Sequence, residues 1–139
     1  MPYLNVHDGA AAVKFYEEAF GAHIVIEIPR HDGKLAHAEF RIGDAVFMLR
    51  DEYADYGFRS ARELGGTPVN LMVFVPDTAA LTERAVAAGA TIVRPVEMQF
   101  HGDLQSELLD PFGHSWFLTT RVAEMTADEL HETAEAVSL

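Results

Sequence analysis

Apolar positions along the chain alternate between two periods. In residues 11–20, Val13, Tyr16 and Phe20 recur at steps of three and four, the spacing of one helix face. Leu81, Ala85 and Ala88 repeat that spacing in residues 78–88. Asp77 is placed to cap the second helix, and Asp8 or Gly9 opens the first. Gly21 and Gly89 stand where a left-handed C-terminal cap requires glycine. Short alternating or apolar runs predict strands at 3–6, 23–28, 35–42 and 45–50, and again at 69–75, 91–96, 104–109 and 115–120. Asp32-Gly33, Gly43-Asp44 and Asp110-Pro111-Phe112-Gly113 supply turns between them.

The same order of elements therefore occurs twice. Gly21-Ala22-His23-Ile24-Val25 returns as Gly89-Ala90-Thr91-Ile92-Val93, 68 residues later, each time directly after a helix. Both halves have the order βαβββ, which predicts a single α+β domain over 1–139. Its first module spans 1–52, a connection 53–68, a second module 69–121 and an acidic C-terminal helix 122–139, opened by the capping box Thr126-Ala127-Asp128-Glu129. The two modules are expected to form paired curved mixed sheets, each with its helix outside, facing each other around a cavity. The connection carries Tyr53, Tyr56 and Phe58 before the breaker Leu64-Gly65-Gly66-Thr67-Pro68, and a loop of that length is expected to cover something or to link units.

Composition narrows the functional classes. Ten Lys and Arg against 22 Asp and Glu give a net charge of −12, with no basic stripe for a phosphate backbone or an anionic membrane. No apolar run approaches the roughly 20 residues of a membrane span. The first residues lack a signal-like pattern, and a cytoplasmic protein is expected. The chain has no cysteine, which removes disulfides, thiolate metal sites and a Cys nucleophile. No Ser-His-Asp arrangement and no glycine-rich phosphate loop is identifiable.

Several segments carry a family resemblance: Phe15-Tyr16-Glu17-Glu18-Ala19-Phe20-Gly21, His37-Ala38-Glu39-Phe40-Arg41-Ile42-Gly43-Asp44 and Asp110-Pro111-Phe112-Gly113-His114-Ser115-Trp116. With the paired βαβββ plan, they resemble the vicinal oxygen chelate superfamily, the glyoxalase, bleomycin-resistance and extradiol-dioxygenase fold group, and most closely its PhnB-like branch. The resemblance implies the glyoxalase/bleomycin-resistance fold and a homodimer that completes its cavities by pairing modules across chains. It also implies that enzymes of the group hold a divalent metal on the first and last strands of each half. Those positions fall here on Met1, Met48, Asn70 and Phe117, none a good ligand for such a cation, so no metal cofactor is expected.

Candidate chemistry then rests on strand faces. Period two places His37, Glu39 and Arg41 on one face of strand 35–42. That row reads either as an internal ion-pair network, with Glu39 held by Arg41 or Arg50, or as a displaced metal site built on His37 and Glu39. The same alternation sends Tyr3, Asn5, Met48, Arg50, Asn70, Met72, Phe74 and Phe117 inward, beside Glu107 and Gln105, and His101 lies on a rim loop. His7, His23, His31 and His131 are placed at the surface or in turns. The expected function is metal-free binding of a cationic or aromatic small molecule such as an antibiotic. The alternative is a divalent-metal lyase, isomerase or dioxygenase.

Overall fold

A computed structural model of the chain describes residues 1–138. Eight strands form two four-stranded sheets. The first sheet contains β1 (Tyr3–Val6), β2 (His23–Pro29), β3 (Leu35–Ile42) and β4 (Ala45–Asp51), in the order β1-β4-β3-β2. The second contains β5 (Asn70–Phe74), β6 (Thr91–Met98), β7 (Asp103–Leu109) and β8 (Ser115–Arg121), in the order β5-β8-β7-β6. In each sheet the first and last strands pair in parallel and the others antiparallel, so both sheets are mixed. This is the predicted α+β architecture, repeated twice.

Helix α1 (Gly9–Phe20) starts two residues before the apolar periodicity begins, because two carboxylates fix its first turn. Asp8 accepts the Ala11 amide, and the buried Asp51 accepts the amides of Gly9 (2.7 Å) and Leu35 (2.6 Å). A Cβ on Gly9 would lie 2.6 Å from the Asp51 carboxylate, so only glycine lets the helix approach β4 this closely. In the second half, Thr120 does the equivalent work at α3 (Thr78–Ala88), accepting the Thr78 amide at 3.0 Å. The connection between modules holds a short 3₁₀ turn (Ala54–Tyr56) and the four-residue helix α2 (Ala61–Leu64), neither signalled by periodicity. A last helix, α4 (Ala127–Ala136), follows the Thr126 cap. No helix among the described residues is long and apolar enough to cross a membrane.

The helices do not lie outside the sheets as expected. Helices α1 and α3 pack against each other, so the helix-bearing faces of both sheets share one core. Its centre is aromatic: Tyr16 stacks on Phe40 at 4.9 Å between ring centroids, and Trp116 meets Phe20 at 5.1 Å and Phe47 at 5.2 Å. Each fully buried side chain of this size adds about 1.5–3 kcal/mol of transfer free energy, and aromatic geometry adds a further ~0.5–1.5 kcal/mol per pair. The opposite faces of the two sheets consequently open outward, with Met72 and Phe74 about half exposed. Arg84 of α3 adds a polar tie by donating to the last carbonyls of α1, at Glu18 (2.6 Å) and Glu17 (3.1 Å).

One buried carboxylate joins the modules. Asp110, in the turn before β8, accepts the Tyr16 hydroxyl of α1 at 2.6 Å and the Trp116 indole N–H at 2.8 Å. Its other oxygen accepts the amides of Phe112 and His114. His114 is thereby placed with its Nε2 3.2 Å from the Asn5 carbonyl of β1. His7, expected at the surface or in a turn, lies in the bend after β1 and is half-buried beside Phe112, its Nδ1 sealed from solvent without a hydrogen-bond partner among the described residues.

Burial raises the Tyr16 pKa well above the ordinary tyrosine value, and the nearby Asp110 charge and its hydrogen bond push the same way. The unfolded chain therefore loses this proton first as pH rises. Its stabilising effect is complete below about pH 10 and declines above it. Urea titrations of wild type should show this alkaline loss, and Tyr16→Phe should show less of it. At neutral pH Tyr16→Phe should cost about 1–3 kcal/mol, and Asp110→Ala, which strands four donors, should cost more.

Candidate functional site

Register across the first sheet defines its open face. Tyr3 lies opposite Met48, which lies opposite Glu39, and Asn5 lies opposite Arg50. These residues and His37 share the face predicted by alternation. The Tyr3 hydroxyl is 2.7 Å from His37 Nδ1. The expected ion-pair row does not form: Arg50 turns away from Glu39 and donates its Nε to Asn5 Oδ1 at 2.8 Å. Neither Arg41 nor Arg50 comes within 4.0 Å of an acidic oxygen among the described residues. The Arg50 guanidinium carbon instead sits 4.1 Å from the Tyr3 ring centroid and 3.3 Å from that of Phe58.

Phe58 shows what the long connection covers. A backbone bridge between Tyr53 and Phe58 pins the loop, with reciprocal bonds of 2.7 and 3.1 Å. Arg30 braces it from β2's end, 4.4 Å above the Tyr53 ring. The loop thus delivers one aromatic ring to the open face of the first sheet.

On the second sheet, Met72 lies opposite Phe117 and Phe117 opposite Glu107, while Phe74, Thr119 and Gln105 form the next row. Two hollows open on this face. A cavity of about 420 Å³ is lined by Met72, Phe74, His101, Asp103 and Arg121, with Met125 and Leu130 from the C-terminal segment above it. Asp103, a buried carboxylate, binds His101 Nδ1 at 3.3 Å and Arg121 Nε at 3.1 Å. Beside it, a cavity of about 170 Å³ is lined by Gln105, Glu107 and Phe117 with Arg94, Glu97 and Gln99. Arg94 faces Glu107 across β6 and β7, yet the two do not approach within ion-pair distance. Asn70, at the exposed start of β5, lies outside both hollows and opposite Ser115. A third cavity of about 230 Å³ lies at the seam of the modules, between Tyr3 and Leu4 on one side and Val69, Leu71 and His114 on the other.

Arg94, Asp103 and Arg121 were absent from the sequence-based candidates. Asp103 and Arg121 are strand-end residues one position beyond the predicted strands 104–109 and 115–120, so a slightly longer strand assignment would have found them. Arg94 lies between two register shifts of β6, where counting by two fails.

The metal positions implied by the resemblance also need correction. The residues facing Met48 and Phe117 are Tyr3 and Met72, two residues along β1 and β5 from Met1 and Asn70. The corrected set offers two thioethers, a phenol and a phenyl ring, which does not fit a divalent cation that favours carboxylate or imidazole. For the displaced site, no group of three His, Asp or Glu side chains converges among the described residues, and His37 already has Tyr3 at Nδ1.

The sequence matches the Glyoxalase/Bleomycin resistance protein/Dioxygenase superfamily over residues 2–118, and the chain belongs to that superfamily. An uncharacterized Mycobacterium bovis protein, Mb0911c, is 42% identical over 132 residues, which cover 93% of this chain and 87% of the relative. The crystal structure of TioX from Micromonospora sp. ML1 is similar with a TM-score of 0.69 and 30% identity, covering 86% of this chain and 94% of TioX. A PhnB protein from Bacillus cereus, described as a putative 3-demethylubiquinone-9 3-methyltransferase, shares the fold with a TM-score of 0.65 and 22% identity, covering 86% of this chain and 97% of its own.

Proposed function

We propose that this member of the superfamily is a metal-free small-molecule binding protein of the bleomycin-resistance type, which sequesters an aromatic, cationic ligand such as an antibiotic. The observation that carries this reading is Glu107. Its carboxylate stands half-buried beside Phe117, in the smaller hollow of the second sheet, and has no ion-pair partner among the described residues. A half-buried carboxylate beside an aromatic ring is completed by a cation, and a charge-assisted bond is the strong kind. Phe117 beside it, and Met72 next along the same row of the sheet, provide contact for an aromatic body. The net charge of −12 steers cations toward the molecule without choosing among them.

The donor chemistry supports a function without metal. A divalent-metal lyase, isomerase or dioxygenase would require a third donor beside His37 and Glu39. Zinc, nickel and manganese are expected to leave the melting temperature unchanged, whereas a metal at a hundred times its Kd would stabilise by about 2.7 kcal/mol. Stoichiometric metal that disappears in His37→Ala and Glu39→Ala variants would favour the enzyme instead.

A homodimer belongs to the same reading. Tyr3, Met72, Phe74 and Met98 expose apolar surface on or beside the open faces, and a second copy laid against them would turn each hollow into an enclosed pocket. Light scattering should give twice the 15.3 kDa chain mass; a persistent monomer would leave the faces open and remove this part of the proposal.

Calorimetry with matched aromatic ligands tests the charge preference directly. Cationic compounds should bind better than neutral or anionic relatives of the same shape. Glu107→Gln should cost the cation about 1–3 kcal/mol, the scale of a hydrogen bond to a charged group, and the neutral ligand much less. Arg94→Gln should strengthen cation binding by removing the competing charge across the strand. Equal losses for charged and neutral ligands would show that Glu107 does not contact the cation.

A further inference from the structure

The first sheet carries the opposite charge preference. Acidic residues outnumber basic ones 22 to ten in this chain, so a half-buried arginine with no acidic partner requires an explanation. Arg50 is that residue. Its Nε is committed to Asn5 Oδ1 at 2.8 Å, and its guanidinium carbon rests 4.1 Å from the Tyr3 ring centroid and 3.3 Å from that of Phe58. Neither Nη has a hydrogen-bond partner among the described residues, and neither is sealed from solvent, since the one buried unpartnered side-chain atom among them is His7 Nδ1.

This environment does two things to the guanidinium. The rings occupy its faces and displace water there, while the amide fixes its rotation about the sheet. What remains available is the in-plane Nη edge, a fork of parallel N–H donors held in place before any ligand arrives. That is the geometry which matches two oxygens of a carboxylate, phosphate or phosphonate. A purely structural arginine would also direct its Nη groups to protein carbonyls or carboxylates, as Arg84 directs one Nη to α1. His37 stands beside it on the same face. It lies one antiparallel step beyond the Ala38–Leu49 pair and hence opposite Arg50. Its Nδ1 is engaged by the Tyr3 hydroxyl, and its Nε2 makes no hydrogen bond among the described residues.

We propose that Arg50 is the receptor for an oxyanion group of a small organic ligand, with Asn5, Tyr3 and Phe58 as its positioning residues. The inference concerns the other sheet and the opposite ligand charge from the Glu107 reading, and it goes beyond that reading. Glu39, diagonal to Arg50 across β3 and β4, makes no ion pair with it and leaves the fork free.

The test titrates the full chain, at low salt, with benzoate, phenylphosphonate, neutral benzamide and cationic benzamidine. Benzoate or phenylphosphonate should bind about tenfold more tightly than benzamide, and the tighter of the two names the oxyanion. Arg50→Gln should remove that advantage, and Arg50→Lys, which keeps the charge without the fork, should lose at least fivefold. Phe58→Leu lies outside the strands and keeps Arg50; it should weaken the oxyanions about threefold and serves if the Arg50 variants do not fold. Oxyanions no tighter than benzamide, or unchanged in Arg50→Gln or Phe58→Leu, would overturn the proposal. Glu107→Gln separates the two readings. Oxyanion binding that survives it within twofold while benzamidine shows no preference would overturn the Glu107 reading alone, and the converse would overturn the Arg50 site alone.

Discussion

The arrangement depends on a carboxylate with almost no contact with water. Asp110 is 4% exposed and accepts four hydrogen bonds, from Tyr16, Trp116 and two turn amides. A buried charge is costly unless it is fully hydrogen-bonded, and here every donor is in place. Tyr16 belongs to the first module, while the other three donors belong to the second. The charge thus ties the halves through the helix layer, and the aromatic core packs around that tie. Because the halves join on this side, both sheets are left with their opposite faces open.

Those two faces begin as repeats of one another and diverge in chemistry. Across each sheet the same row recurs: Tyr3, Met48 and Glu39 in the first, Met72, Phe117 and Glu107 in the second. The acid is kept while its surroundings change. In the first sheet the neighbouring arginine is drawn off to aromatic rings and an amide. In the second the equivalent row carries Gln105 and Thr119, bonded to each other at 3.3 Å, and no cation. One duplicated scaffold thereby presents two electrostatically different surfaces without any change in strand order.

Much of this was legible before the structure. The two module helices, the capped C-terminal helix, most strand bounds and the left-handed Gly21 cap followed from local rules, and the face-sharing of Tyr3, Met48, Arg50, Met72 and Phe117 followed from period two. What could not be read depends on contacts across long sequence distances. Phe58 reaches Arg50 from a loop with no periodicity. Arg94 comes to lie opposite Glu107 after a register shift in β6, which breaks the alternation. The helix layer between the modules arises from Tyr16, Phe20, Phe47 and Trp116 meeting across the repeat, whereas the repeat itself only indicates two similar units. The start of α1 at Gly9 was legible, but not its hold by Asp51, 42 residues away.

The tie at Asp110 also has an evolutionary meaning. Tyr16 and Asp110 lie in different copies of the repeat, and counting 68 residues on from Tyr16 reaches Arg84, which makes a different tie, to the helix end. Each half therefore carries one part of a fastening whose counterpart exists only in the other. Recombination that replaced the second half with another copy of the first would preserve both folds and lose the join. With this asymmetry the two copies cannot substitute for each other, and each presents its own surface while depending on the other for its fastening.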